Sequence, residues 1–185
     1  MELTRRIDAL LQGDAPRVIV ALDGKCATGK TTLAGALAET YGCAVCHMDD
    51  FFLRPAQRTP ERMAKPGENV DHERFLEEVL RPLYEGKPAS YRPWSCRTQS
   101  FSEARELTPT RLTIVEGAYS LHPALRGYYN LRAVLTAPLD VRLARLRERE
   151  GDNFPNYPAK WIPLEDAYFE ACGVENCADI VLDTL

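Results

Sequence analysis

The sequence predicts an α/β fold, a three-layer arrangement with a central parallel sheet between helices. Three observations carry this reading. Five short apolar runs recur along 185 residues, at 17–24, 43–50, 111–120, 131–138 and 178–184. Each is near-continuous in Val, Ile, Leu, Ala or Cys rather than alternating, the pattern of strands covered on both faces. Between them lie stretches with helical spacing, and strands alternating with helices build a sheet with crossover connections.

The elements follow in order. The opening MELTRRIDALLQGD places Leu3, Ile7, Leu10 and Leu11 at helical spacing and has no apolar core of an export leader. RVIVALDG reads as the first strand. TGKTTLAGALAETYG (28–42) carries Leu33 and Leu37 on one face and stops at Gly42, a residue suited to a helix C-terminus. DHERFLEEVLRPLYEG (71–86) stripes Phe75, Leu76, Val79, Leu80 and Leu83 and ends at Gly86, with Pro82 expected to kink or shorten it. PLDVRLARLRERE (138–150) spaces Leu139, Leu143 and Leu146 along one side and Arg142, Arg145 and Arg149 along another. LEDAYFEAC (164–172) reads as a last helix. Two segments break the rhythm: 53–70, rich in Pro and charge, and 87–109, with Arg and aromatic residues interleaved. Loops of this length in a compact domain usually carry function or move. The whole chain, 1–185, reads as one domain.

Bulk composition narrows the function. The formal net charge is −4, which argues against nucleic acid as the partner. No run approaches the length of a membrane span, and a cytoplasmic location with reduced thiols is expected for the six cysteines. Cys43 and Cys46 form a lone C-x-x-C on a predicted strand. Residues three apart there face opposite ways, so packing is the better reading. His47 and His122 read as structural.

The strongest signal is GKCATGKT at 24–31, which fits G-x-x-x-x-G-K-[ST] between a predicted strand and a predicted helix. Gly24, Ala27, Thr28 and Gly29 form a loop whose amides can surround phosphate oxygens, and the helix N-terminus lies on the same anion. Lys30 supplies charge to the outer phosphates, Thr31 a hydroxyl for Mg²⁺, and Thr32 continues the site. The pattern calls for ATP and Mg²⁺. Two apolar runs end in acid at Asp49–Asp50 and at Glu116, where ligands of open α/β sheets bind. Glu116 is expected to hold or orient the metal. One of Asp49 and Asp50 is expected to take the acceptor's proton, and adjacent strand residues point apart, so only one faces the cleft. The arginine stripe could stabilise charge on the transferring group. Tyr91, Trp94 and Phe101 could stack a flat base or pack a hairpin.

In their order, LDGKCATGKTT, MDDFF, VDHERF, YRPWSC, VEGAYS, PLDVRLARLRERE and CADIVLD resemble the uridine kinase-like proteins, the group of uridine–cytidine kinases and phosphoribulokinase. The resemblance covers about residues 17 to 183. It implies a P-loop kinase fold with an acceptor-side hairpin and a lid at about 142–162. It implies that Asp49 is the base on a sugar hydroxyl and stands near the metal with Thr31 and Glu116. Phe51 and Phe52 would begin the acceptor pocket, Asp71 would grip ribose hydroxyls with His72 beside it, and Arg142, Arg145 and less surely Arg149 would be lid arginines. The acceptor it implies is a nucleoside, most of all the 5′-hydroxyl of uridine, in a chain that could form a homo-oligomer. The chain departs from the pattern at Trp94–Ser95 and Thr98, where the family's base-recognising Asp and His are absent. A phosphosugar or a vitamin precursor is the alternative acceptor. A GTP switch is disfavoured, because N-K-x-D and a following D-x-x-G are missing.

Overall fold

The computed structural model describes residues 2–184. In chain order the elements are α1 (Glu2–Gln12), β1 (Val18–Gly24), α2 (Lys30–Tyr41), β2 (Ala44–His47), α3 (Pro60–Met63), α4 (His72–Phe75), α5 (Arg81–Glu85), β3 (Ala89–Tyr91), β4 (Trp94–Ser95), β5 (Ser100–Phe101), β6 (Arg105–Leu107), β7 (Leu112–Glu116), β8 (Leu131–Thr136), α6 (Leu139–Glu150), α7 (Ile162–Ala171) and β9 (Ile180–Asp183). The five apolar runs become one sheet in the order β2-β7-β1-β8-β9. Every pairing in it is parallel.

The near-continuous runs are explained by two cores. Val18, Val20 and Leu22 pack on one face with Leu3, Ile7, Ala34 and Leu37 of α1 and α2. Ile19 and Ala21 point to the other face, with Phe51, Phe75, Val79, Leu80 and Tyr168. Alternate residues of one strand thus serve opposite layers, and both layers exclude water. Cys46 and Cys43 divide in the same way between the two faces, and all six cysteines are free.

Two expectations are refined. Pro82 does not shorten its helix, and the departure from regular α geometry falls just before it. A π-turn over Leu76–Leu80 joins α4 to α5, and the Arg81 N–H reaches the Leu76 carbonyl, five residues back. That wider register carries the chain past a residue with no N–H, and the helix stops at Gly86 in the left-handed region. In α6 the leucine spacing marks the buried face only in part, with Leu143 and Leu146 packed beside Cys26 and Ile162. Leu139 is 52% exposed, while Arg142 is 4% exposed and Leu146 fully buried. The reason lies in what α6 covers: the polar backbone of the loop after β1, which needs a donor more than an aliphatic chain.

The strand 43–50 is shorter than expected. It ends at His47, and Met48–Phe51 form a 3₁₀ turn. The segment 87–109 folds as nested hairpins, with β3 antiparallel to β6 and β4 antiparallel to β5. Phe52 bridges Val70, which closes 53–70 into a compact excursion.

One tether inside the fold was not anticipated. Asp23, at the end of β1, is fully buried. Its Oδ1 accepts the Gly24 N–H at 2.6 Å, and its Oδ2 accepts the Leu121 N–H at 2.7 Å and the Tyr168 hydroxyl at 2.8 Å. Burial pushes this carboxyl above the usual range, and the three donors oppose the shift. Asp23→Ala orphans donors in three segments and is expected to lower unfolding stability by about 2–4 kcal/mol, read by denaturant titration.

At the sheet edge, Asp179 accepts from the Arg132 guanidinium at 2.8 Å and from its backbone N–H at 2.8 Å, pinning the approach to β9 against β8. The Arg132 hydrogen bond holds the Asp179 carboxyl below its ordinary value. A depressed carboxyl stabilises the fold above its unfolded pKa and loses that contribution as pH falls through the folded one. Wild type is therefore expected to exceed Asp179→Asn by about 0.5–1 kcal/mol at neutral pH, with the gap closing only below about pH 4, as measured by thermal unfolding across pH.

Candidate active site

The loop between β1 and α2 is shaped by close approach. A Cβ on Gly24 would lie 2.6 Å from the Leu135 carbonyl oxygen, main chain of the neighbouring strand that cannot yield. Gly29 caps α2 at φ +89, and nothing stands within 4 Å of where its Cβ would be. A left-handed turn with open space above it leaves the first-turn amides of α2 facing the cleft. Lys30 folds back over the loop, its Nζ donating to the carbonyls of Gly24 at 2.7 Å and Lys25 at 3.0 Å.

The loop is fastened from outside. Arg142 Nε donates to the Cys26 carbonyl at 2.9 Å. Arg145 donates to the Ala27 carbonyl at 3.2 Å and to that of Thr184 at 2.7 Å. The Thr184 hydroxyl reaches the Thr28 carbonyl at 2.8 Å. Three consecutive loop carbonyls are thus drawn toward α6 and the segment after β9. Glu165 of α7 accepts the Cys26 N–H at 2.8 Å and stands 3.8 Å from the Arg142 guanidinium. Burial raises the Glu165 carboxyl, opposed by the Cys26 amide and the positive charges of Lys30 and Arg142.

The acids converge because of strand order. β7 lies between β1 and β2, so Glu116 is the register partner of both Leu22 and His47. The Thr31 hydroxyl, one turn above β1, donates to Glu116 Oε1 at 3.2 Å, and His47 Nδ1 meets the same oxygen at 2.5 Å. That hydrogen bond raises the His47 pKa against the opposing effect of burial. Asp49, on the 3₁₀ turn, opens into the cleft. The protein around it pushes its carboxyl up, with Lys30 opposing. Asp50 turns away, accepting from Tyr91 at 2.8 Å and Arg105 at 2.7 Å. One cleft is lined by Lys30, Thr31, Asp49, Phe52, Glu116 and Arg149, closed by Tyr157, Trp161 and Glu165. On the far side of the loop a second groove runs past Gly29, Thr32, Leu33, Ala36, Leu135 and Leu182, flanked by Arg145 and Arg149.

The other candidate residues stand apart from this cleft. Asp71 is buried as an N-cap, accepting the Arg74 N–H at 3.3 Å and the Gln57 amide at 2.8 Å. His72 stacks on His122 with ring centroids 3.9 Å apart, its Nε2 at 3.2 Å from Glu68. Tyr91 packs on Phe51 at 5.0 Å, and Trp94 sets its edge on Phe101 at 5.2 Å. Of the arginine stripe, Arg142 and Arg145 hold the loop, and Arg149 is the member that lines the cleft. The lid segment continues from α6 through a turn at Gly151–Asn153 and a π-turn at Tyr157–Trp161, and Trp161 lies 6.1 Å from Phe52 across the cleft.

The sequence reading does not single out as site residues Asp23, His47 and Glu165, which hold the loop or Glu116. An acid inside the apolar run VIVALDG is the signal that could have flagged Asp23. Glu165 carries no motif, and its role exists only because α7 packs over the loop.

No protein-family model matches the chain. Among solved structures, a provisionally assigned uridine kinase from Bacillus stearothermophilus is 26% identical, with 99% of this chain and 100% of that one covered at a TM-score of 0.70. A provisionally assigned fructose transport system kinase from Silicibacter sp. TM1040 is 25% identical, with 98% of each chain covered and a TM-score of 0.69. D-glycerate 3-kinase from Cryptococcus neoformans shares the fold at 13% identity, with 98% of this chain and 92% of that one covered and a TM-score of 0.60. With its five-stranded parallel sheet and its phosphate loop, the chain has the P-loop kinase fold of these neighbours.

Proposed function

We propose that the protein transfers the γ-phosphoryl group of MgATP to a hydroxyl of a small molecule. The observation that carries this reading is that the loop lysine, the Thr31 hydroxyl and the Asp49 carboxylate open onto one cleft. The donor set suits the groups it would hold. Amides and an ammonium answer the phosphates, and a hydroxyl and carboxylates answer a hard cation. Thr31, Glu116 and Asp49 would hold Mg²⁺, directly or through water, and the ion would neutralise charge on the β- and γ-phosphates.

The residues of the chain divide the remaining work. Lys30 leaves the loop carbonyls for the phosphates. His47 fixes the rotamer of Glu116 through Oε1. Arg142, Arg145 and Glu165 keep the loop in the shape that presents its amides. Arg149 reaches the cleft to meet charge on the transferring group, and the groove beside Leu33, Ala36 and Leu182 takes the adenosine. Asp49 accepts the hydroxyl proton as the acceptor oxygen bonds to the γ-phosphorus. The bond from that phosphorus to the bridging oxygen breaks, and ADP leaves with its electron pair. Catalysis then rests on positioning and charge stabilisation.

A uridine acceptor is supported by the 26% identical neighbour. It draws less from the hairpin, because Tyr91 is buried with its hydroxyl on Asp50 and Asp71 serves as a helix cap.

Asp49→Asn is expected to lower kcat by roughly 10²–10⁴-fold while the Kd for MgATP changes little. Single-turnover kinetics and calorimetric titration check this, and retained turnover would mean that another group takes the proton. Gly24→Ala is expected to weaken MgATP binding by roughly tenfold or more, because the added methyl pushes the loop off the Leu135 carbonyl. Equilibrium binding measured beside circular dichroism separates this effect from unfolding.

A further inference from the structure

Phe101, on β5 of the hairpin, has an unusual set of neighbours. Three guanidinium carbons lie near its ring centroid: Arg74 at 5.3 Å, Arg92 at 5.5 Å and Arg54 at 5.8 Å. One cation over an aromatic face is favourable, but three gathered round one ring repel one another. The carboxylates nearby are limited. Asp71 stands 3.6 Å from Arg74 and 3.7 Å from Arg54, and Glu78 lies 3.2 Å from Arg74. Asp50 is occupied by Arg105 and Tyr91. Arg92 donates to the main-chain carbonyls of Ser102 and Phe101 and has no carboxylate in ion-pair reach among the described residues.

A second, independent observation falls on the same spot. Trp94 Nε1 is a buried donor with no hydrogen-bond partner, whereas Arg74 Nε, which also makes no hydrogen bond, faces the Asp71 carboxylate at 3.6 Å. Both side chains touch Phe101, Arg74 through its guanidinium and Trp94 edge-on. A buried donor left unmade is costly, and the Trp94 N–H beside this ring gains from an acceptor that reaches it.

The cluster is tied to the reaction centre through a short segment. Arg74 Nη2 donates to the main-chain carbonyl of Asp50, the residue after Asp49, at 3.2 Å. Phe52 lines the cleft, and Arg54 follows two residues later. Excess positive charge with unused donors, on the acceptor side of the base, fits a ligand with several acceptor oxygens and negative charge. A neutral nucleoside offers no charge to this cluster.

Resting on the kinase reading above, we infer that the acceptor carries an oxyanion, a carboxylate or a phosphate monoester, besides the hydroxyl that is phosphorylated. Arg54, Arg74, Arg92 and the Trp94 indole bind that oxyanion beside Phe101.

The test has two readouts. In the first, the purified protein with MgATP is given D-glycerate against glycerol, ribose 5-phosphate against ribose, and uridine, with ADP formation followed. The expected result is stimulation by one or both oxyanion-bearing members and none by glycerol, ribose or uridine. The glycerate and ribose phosphate arms separate carboxylate from phosphate. Arg54→Gln and Arg92→Gln, both at solvent-reached side chains, are expected to raise the acceptor KM by roughly tenfold or more, with the KM for MgATP moving less than about twofold. Arg74→Gln would also disturb packing on Phe51, so it is not the deciding variant. In the second readout, Trp94 emission in a Trp161→Phe background is titrated with inorganic phosphate, D-glycerate and glycerol. A saturable change with either oxyanion and none with glycerol is expected. The inference is overturned if a neutral acceptor is used as well as its charged counterpart. It is overturned equally if both arginine variants leave the acceptor KM in place, or if Trp94 responds to neither oxyanion. Saturable oxyanion binding in a protein that turns over none of these acceptors would support the anion site and count against the kinase reading alone.

Discussion

The phosphate loop depends on a carboxylate it does not contain. Asp23 is removed from water at the end of β1 and takes three donors at once: the first loop amide, the amide of Leu121 beyond β7, and the hydroxyl of Tyr168 on α7. A buried carboxylate with fewer partners would be a liability, because desolvation disfavours its charge. With three, it becomes a joint between segments about a hundred residues or more apart in sequence. It fixes where β1 stops and how the chain turns into the loop. It also holds the helix that carries Glu165 against the Cys26 amide.

From that joint the rest of the centre follows by topology. β7 lies between β1 and β2, so an acid ending it must come up beside the loop on one side and beside β2 on the other. Glu116 therefore meets Thr31 and His47 together, and the chain need not bend to bring them close. The turn after β2 then decides between two adjacent acids. A 3₁₀ turn rotates successive side chains by about a third of a circle. Asp49 faces the cleft, and Asp50 goes to the hairpin to hold Tyr91 and Arg105.

What was legible in the sequence was what local pattern and strand ends encode. The five apolar runs, the loop glycines, the cap at Gly42 and the acids at 49 and 116 all announce themselves within a few residues. Other features depend on partners far along the chain. Arg142 and Arg145 share a helix face with Arg149, and spacing cannot tell an arginine that grips a backbone carbonyl from one that faces a ligand. Leu139 of α6 misleads for the same reason: the surface under that end of the helix is the polar back of the loop, which Arg142 satisfies and Leu139 cannot. At Pro82 the helix runs on because a π-turn supplies a register in which the missing N–H does no harm. His47 passed as structural because its partner arrives through strand pairing alone.

The same limit bears on the acceptor side, where motif and geometry part company. Asp71 and His72 sit in sequence where the resemblance places sugar-gripping groups. In three dimensions one caps a helix among Gln57, Arg54 and Arg74, and the other stacks on His122. Tyr91 and Trp94 are in the aromatic stretch that could have held a base, and both are drawn into packing with Phe51 and Phe101. Once those groups are committed to the scaffold, the polar capacity left over around the hairpin is cationic and donor-rich. The hairpin side can therefore vary while the loop, Asp49 and Glu116 stay where strand order puts them.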